Sequence, residues 1–109
     1  MTYKIRVVMC PADPDRKPYI TNISNSLENM QRTVGGYIES VTFRGVDGEG
    51  VYAVICDEEG RLKRYRPNCE IAGVEFVGDV FVARVDGDEL TDVPLGFLPE
   101  FLQLYYERM

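Results

Sequence analysis

Tyr37-Ile38-Glu39-Ser40-Val41-Thr42-Phe43-Arg44-Gly45-Val46-Asp47-Gly48-Glu49-Gly50-Val51-Tyr52-Ala53-Val54-Ile55-Cys56 contains two β-rich runs, Tyr37 to Val46 and Val51 to Cys56, around Asp47-Gly48-Glu49-Gly50. Asp-Gly between runs dense in Val, Ile, Tyr, Phe and Thr is a strong hairpin signal: the turn favours residues that tolerate positive φ, and β-branched and aromatic side chains suit a pleated surface. An antiparallel hairpin in the middle of the chain predicts a mainly antiparallel sheet.

Towards the N-terminus, Tyr3 to Cys10 is rich in β-branched residues and stops at Pro11-Ala12-Asp13-Pro14-Asp15, a strand followed by a loop. Pro18 to Ile23 is read as a short returning strand. Ser24 or Ser26 can cap a helix with apolar residues at Leu27, Met30 and Val34, and Gly35-Gly36 supplies the left-handed stop.

Towards the C-terminus, Asp57-Glu58-Glu59-Gly60 predicts a turn, and Arg61 to Tyr65 a brief strand that Pro67 and Asn68 break. Gly73 to Gly78 is ambiguous. Val80 to Val85 is a nearly continuous apolar run ended by Asp86-Gly87-Asp88, which fits a strand in the middle of the sheet. Leu98, Phe101, Leu102 and Tyr105 recur at helical spacing, with Pro99 suited to the first turn, so a terminal amphipathic helix is expected. The order β-β-α-β-β-β-α, without repeats or linker, describes one α+β domain over residues 1–109. It has a mainly antiparallel sheet, one short internal helix and a C-terminal helix, with the helices on one sheet face.

The chain has 109 residues, 12 Lys and Arg against 18 Asp and Glu, and no histidine. Without histidine there is no Ser-His or Cys-His nucleophile and no zinc-His centre. Cys10, Cys56 and Cys69 are odd in number and widely spaced, so they suggest neither a disulfide framework nor a C-x-x-C site, and a reducing cytoplasm fits best. The apolar run Ile5 to Cys10 is interrupted by Arg6 and followed by Pro11, too short for a signal core or a membrane span. No cofactor and no metal is expected, and no catalytic constellation can be drawn, which leans the reading away from an enzyme.

The most unusual segment is Arg61-Leu62-Lys63-Arg64-Tyr65-Arg66-Pro67-Asn68, which holds four of the twelve basic residues of an acidic chain. Arg61, Lys63, Arg64 and Arg66 can bind phosphate by charge-assisted hydrogen bonds, with Tyr65 available to stack on a base and Asn68 beside them. The alternative is a solvated strand edge guarded by charge. A sequence pI of about 4.6 disfavours extended nucleic acid, leaving a small phosphorylated ligand. Asp57, Glu58, Glu59, Asp86, Asp88, Glu89 and Asp92 are candidates for imitating a phosphate backbone, although solubility explains acids at turns.

Other motifs read as structure. Val34-Gly35-Gly36-Tyr37 follows a helix where a phosphate loop would precede one. Asp86-Gly87-Asp88-Glu89 lacks calcium-loop spacing. Cys69, near Arg64 and Arg66 in sequence, is the one thiol worth testing as an activated nucleophile, against a structural role. Phe97, Phe101, Leu104, Tyr105 and Tyr106 spread apolar surface over more of the terminal helix than one stripe needs, a candidate interface for a homodimer.

Leu27 to Gln31, Val34-Gly35-Gly36-Tyr37-Ile38-Glu39, the stretch Ala53 to Leu62 with Cys56-Asp57-Glu58-Glu59-Gly60, then Pro67-Asn68 and Val77 to Val82 together resemble the family called domain of unknown function 3846. The resemblance covers most of the chain. It implies a small cytoplasmic protein of Gram-positive bacteria, their phages or mobile elements, with no assigned catalytic residues to carry over. Lys63, Arg64 and Arg66 depart from a less charged stretch in the family, so a phosphate role for them would not be inherited. The setting implied by the resemblance makes a non-enzymatic binding protein the leading expectation, acting by interference with a host protein or defence system. Sequestration of a small signalling nucleotide through residues 61–68 is the alternative, and acidic nucleic-acid mimicry a further one.

Overall fold

The computed structural model describes residues 3–46, 48 and 50–109; Asp47 and Glu49 of the quoted hairpin turn lie outside them. The strands are β1 (Lys4–Cys10), β2 (Tyr19–Ser24), β3 (Ile38–Arg44), β4 (Val51–Asp57), β5 (Pro67–Ile71), β6 (Val74–Val77), β7 (Val80–Asp86), β8 (Glu89–Thr91) and β9 (Tyr106–Arg108). Helix α1 (Leu27–Val34) follows β2, and α2 (Phe97–Leu104) follows β8. The main sheet runs β2-β1-β7-β4-β3, with β8 paired to β7, and a second sheet runs β6-β5-β9. Every strand pairing is antiparallel.

The α+β class, the central hairpin and the central position of β7 follow from the chain's own pattern. In β7, Val80 and Val82 point to one face of the sheet and Phe81 and Ala83 to the other, and all four are buried. A strand apolar on both faces is stable only where both are covered. One face carries Val8, Val54 and Val82 under α2 and the second sheet, through Phe97, Phe101, Cys69 and Phe76. The other carries Val7, Ile55 and Phe81 under Met30 and Val34 of α1. The C-terminal helix thus packs on one face as expected, but α1 packs on the opposite one, correcting the expectation of a shared face.

Helix α1 is capped as its sequence suggests: Ser26 Oγ accepts from Asn29 N–H at 3.2 Å, and Gly35 at φ 101° ends it. Met30 and Val34 form its buried stripe, whereas Leu27, expected on that stripe, lies in solvent. In α2 the buried pair is Phe97 and Phe101, one turn apart, with Phe97 stacked on Tyr52 at a centroid distance of 4.5 Å. Leu102 is exposed and Tyr105 is the cap, because the helix starts one residue before the expected stripe and packs through the pair beginning at Phe97.

Two further expectations are corrected. Arg61 to Tyr65 is not a strand: Lys63 N–H bonds Glu59 O, Arg64 N–H bonds Arg61 O and Tyr65 N–H bonds Gly60 O, winding the segment into turns, with Arg64 at φ 58°. Nor do Pro67 and Asn68 break a strand; they begin β5, where proline is tolerated as a first residue. The ambiguous stretch contains β6, which returns from β5 through Ala72 and Gly73, both at positive φ.

Candidate functional site

The basic segment folds over a carboxylate from its own preceding turn. Asp57 ends β4 with its side chain buried, and it accepts from Lys63 Nζ at 2.7 Å, Tyr65 Oη at 2.8 Å and Glu59 N–H at 2.9 Å. Lys63 Nζ also donates to Gly35 O at 3.1 Å, tying the loop to the end of α1. Burial alone would raise the Asp57 pKa, but the hydrogen bonds from Lys63, Glu59 and Tyr65 together hold it below its ordinary value. The bond to the carboxylate raises Lys63 and Tyr65 in turn.

Glycine is required where this latch meets its surroundings. A Cβ on Gly36 would collide with Lys63 Nζ and stand 2.8 Å from Asp57 Oδ2. One on Gly78, at φ 73°, would stand 2.5 Å from Tyr65 Cδ2.

Of the six residues expected to bind an anion, three are therefore engaged inside the fold. Lys63 and Tyr65 hold Asp57, and Asn68 is fully buried, donating to Cys10 O at 2.8 Å and Gly78 O at 2.7 Å while accepting from Arg108. A buried amide bound on both sides cannot also meet a ligand, which corrects its assignment. Arg61 donates to Glu75 O at 3.3 Å. Arg64 and Arg66 are exposed with no side-chain partner among the described residues. Arg66 and Tyr65 share with Arg32 the lining of an open cavity of about 380 Å³. Asp57, engaged by the latch, is also unavailable for phosphate mimicry; Glu58 and Glu59 remain exposed beside it, as do Asp86, Asp88, Glu89 and Asp92 at the β7–β8 hairpin.

Chain order does not announce a groove of about 390 Å³ between the two sheets. Its floor is the face of β3 and β4 that presents Glu39, Val41 and Cys56; its end is the turn carrying Glu58, Arg61 and Leu62. All four residues of β6 line the remaining wall. Since successive side chains of a strand point to opposite faces, four consecutive lining residues mean that the groove follows the edge of β6. That edge faces away from β5, its partner in the sheet. Leu62, 80% exposed inside the basic run, was the one sequence signal: an isolated leucine in a cationic turn.

The expected homodimer surface divides. Phe97 and Phe101 are 1% and 0% exposed, so they belong to the core and offer nothing to a second copy. Tyr105 and Tyr106 are half-buried against them, and the Tyr105 hydroxyl accepts from Val46 N–H at 2.8 Å, leaving Leu104 as the exposed member. The thiols are buried as well. Burial pushes Cys69 up to about 12, with Arg108 the nearby cation opposing it, and Cys56 up to about 11, so Arg64 and Arg66 do not activate Cys69. Among the described residues no group of His, Cys, Asp and Glu side chains could hold a metal ion, and no helix is long and apolar enough to cross a membrane.

Residues 5–106 match the model of the family described as domain of unknown function (DUF3846). The chain belongs to this family. No curated protein and no solved structure matches it. In this DUF3846 member the two stretches that carried the resemblance, Val34 to Glu39 and Cys56 to Leu62, converge on the latch: Gly35 and Gly36 lie beside the Lys63 and Tyr65 groups that hold Asp57. The second of them builds the turn that closes the groove, and the first brings Glu39 to its floor.

Proposed function

We propose that this protein is a non-enzymatic binding protein that engages a protein partner through the groove between its two sheets. The observation that supports this reading is the edge of β6 exposed along a groove whose walls carry Val41, Cys56 and Phe76, with Glu39, Glu58 and Arg61 beside them. Exposed apolar side chains stand at its rim, Leu62 and Val74. An open strand edge beside exposed apolar side chains suits recognition of an extended protein segment. The phage or mobile-element setting implied by the family resemblance makes a host or defence protein the partner to seek, in the cytoplasm. Photo-crosslinking from position 62 in cells of a host, followed by competition with purified Leu62→Asp and Val41→Asp variants, tests this. A specific adduct competed by the intact protein but not by either variant is expected. Adducts competed equally by the folded variants would overturn the reading.

A second reading rests on Arg66, which lines the cavity shared with Tyr65 and Arg32, and on Arg64, two residues before it in sequence; both are exposed and without side-chain partners among the described residues. These groups suit a small phosphorylated ligand or signalling nucleotide. A thermal-shift screen with mono-, di- and cyclic nucleotides is its test, since a ligand bound only by the folded state raises stability by mass action. A shift abolished in the Arg64→Ala, Arg66→Ala variant supports it; a flat screen ends it.

A further inference from the structure

We infer that the partner binds by adding a strand to the edge of β6, with an apolar-basic-apolar triplet centred opposite Glu75; this rests on the groove reading proposed above. The direction of the backbone carries the first half. Ile71 and Val74 close a two-residue hairpin, and the register continues as Glu70 opposite Glu75 and Cys69 opposite Phe76. In an antiparallel pair the residues alternate between exchanging both backbone bonds and exchanging none. With Ile71 and Val74 as a bonded pair, Glu75 turns its N–H and C=O outwards. The bond from Arg61 to Glu75 O, made from outside the sheet, shows the same direction. An extended segment would thus exchange both bonds with Glu75, displacing the Arg61 guanidinium that now covers the carbonyl.

Side-chain order across the small sheet carries the second half. Glu75 stands opposite Glu70, and Glu70 opposite Glu107, so three carboxylates form one cross-strand row on the solvent side. Like charges directly opposite destabilise a sheet, and opposite charges stabilise it. A strand added at β6 would place one side chain next in that row, beside Glu75, where Lys or Arg relieves the repulsion. Its two neighbours point to the other face, into the groove beside Phe76, Val41 and Cys56, where apolar side chains fit. Four residues of strand edge span about 13 Å, so the recognised core is short. A second copy of this chain is a poor occupant, because pairing two β6 edges brings two acidic rows together in a molecule of net charge −6.

The probe is a capped seven-residue peptide with Val-Lys-Val at its centre and threonines on either side. Its companions carry Glu in place of Lys, or an N-methyl group on the Lys amide. Binding to the intact protein is followed by NMR titration and by hydrogen exchange at the Glu75 amide. The lysine peptide is expected to slow exchange at Glu75 at least tenfold, to bind at least tenfold better than either companion, and to gain several-fold in affinity with Arg61→Ala. Groove binding that is equal for the N-methylated peptide, with Glu75 exchange unchanged, overturns strand addition and leaves the groove reading standing. Absence of any perturbation at Val41, Leu62 and Glu75 at millimolar peptide overturns both. Perturbation confined to residues away from the groove overturns both.

Discussion

Protonating Asp57 removes the acceptor for Lys63 Nζ, Tyr65 Oη and Glu59 N–H together, so this one carboxylate makes the turn beside the groove sensitive to pH. Because its pKa is lowered by folding, its contribution is complete above the unfolded value of roughly 3.9 and is lost as pH falls through the folded value below it. Lys63 and Tyr65 are raised, so their contributions are complete below roughly 10 and are lost as pH rises beyond their folded values. Denaturant titrations from pH 2 to 7 are expected to show a steeper acid loss for the native chain than for Asp57→Asn; identical slopes would remove Asp57 from the account. Gly78→Ala meets both a positive φ and the Tyr65 ring, and a loss of about 1–3 kcal/mol is expected in the same measurement. Asn68→Ala leaves two buried carbonyls without their donor and is expected to cost about 3 kcal/mol. The thiols offer a separate check: Cys10, Cys56 and Cys69 are expected to resist a thiol reagent at pH 8 in the native protein and to react fully in denaturant.

At the scale of elements, stability is unevenly placed. Ser26→Ala removes the α1 cap and is expected to cost about 1 kcal/mol by thermal unfolding. Phe101→Ala opens a cavity beneath α2 and is expected to cost about 3–5 kcal/mol. The hairpin β3–β4, strand β7 and both helices were legible because their signals are local: Asp-Gly between β-rich runs, an apolar run bounded by turns, Ser at one helix end and Gly at the other. Strands β5, β6, β8 and β9 were not, being three to five residues long. Segments of that length carry too little periodicity to be distinguished from turns. Arg61 to Tyr65 misled for the same reason: its alternation of basic and larger side chains looks extended, while Asp57, behind it in sequence, supplies the acceptor that winds it into turns.

The whole molecule divides an apparently single cationic site between three places. Lys63 and Tyr65 fold inwards to Asp57, Arg61 turns to the edge of β6, and Arg64 and Arg66 remain outside. Self-association was expected through five residues of the C-terminal region, yet Phe97 and Phe101 are core, and the exposed Leu104 is isolated from them. Light scattering is expected to give the 12.4 kDa monomer for both the intact chain and Leu104→Glu. A doubled mass that Leu104→Glu halves would establish the dimer. Residue order alone is enough for the α+β class, the antiparallel hairpin, the glycine stop of α1, the central place of β7 and membership of the family, because each depends on residues close together in the chain or on the pattern as a whole. Three-dimensional packing settles the choice of Ser26 over Ser24 as the α1 cap, which basic side chains are engaged, the burial of Asn68, the placing of the helices on opposite faces, and the groove that β3, β4 and β6 enclose. Those outcomes depend on long-range pairing and on competition for a buried carboxylate, and neither leaves a periodic trace in the order of residues.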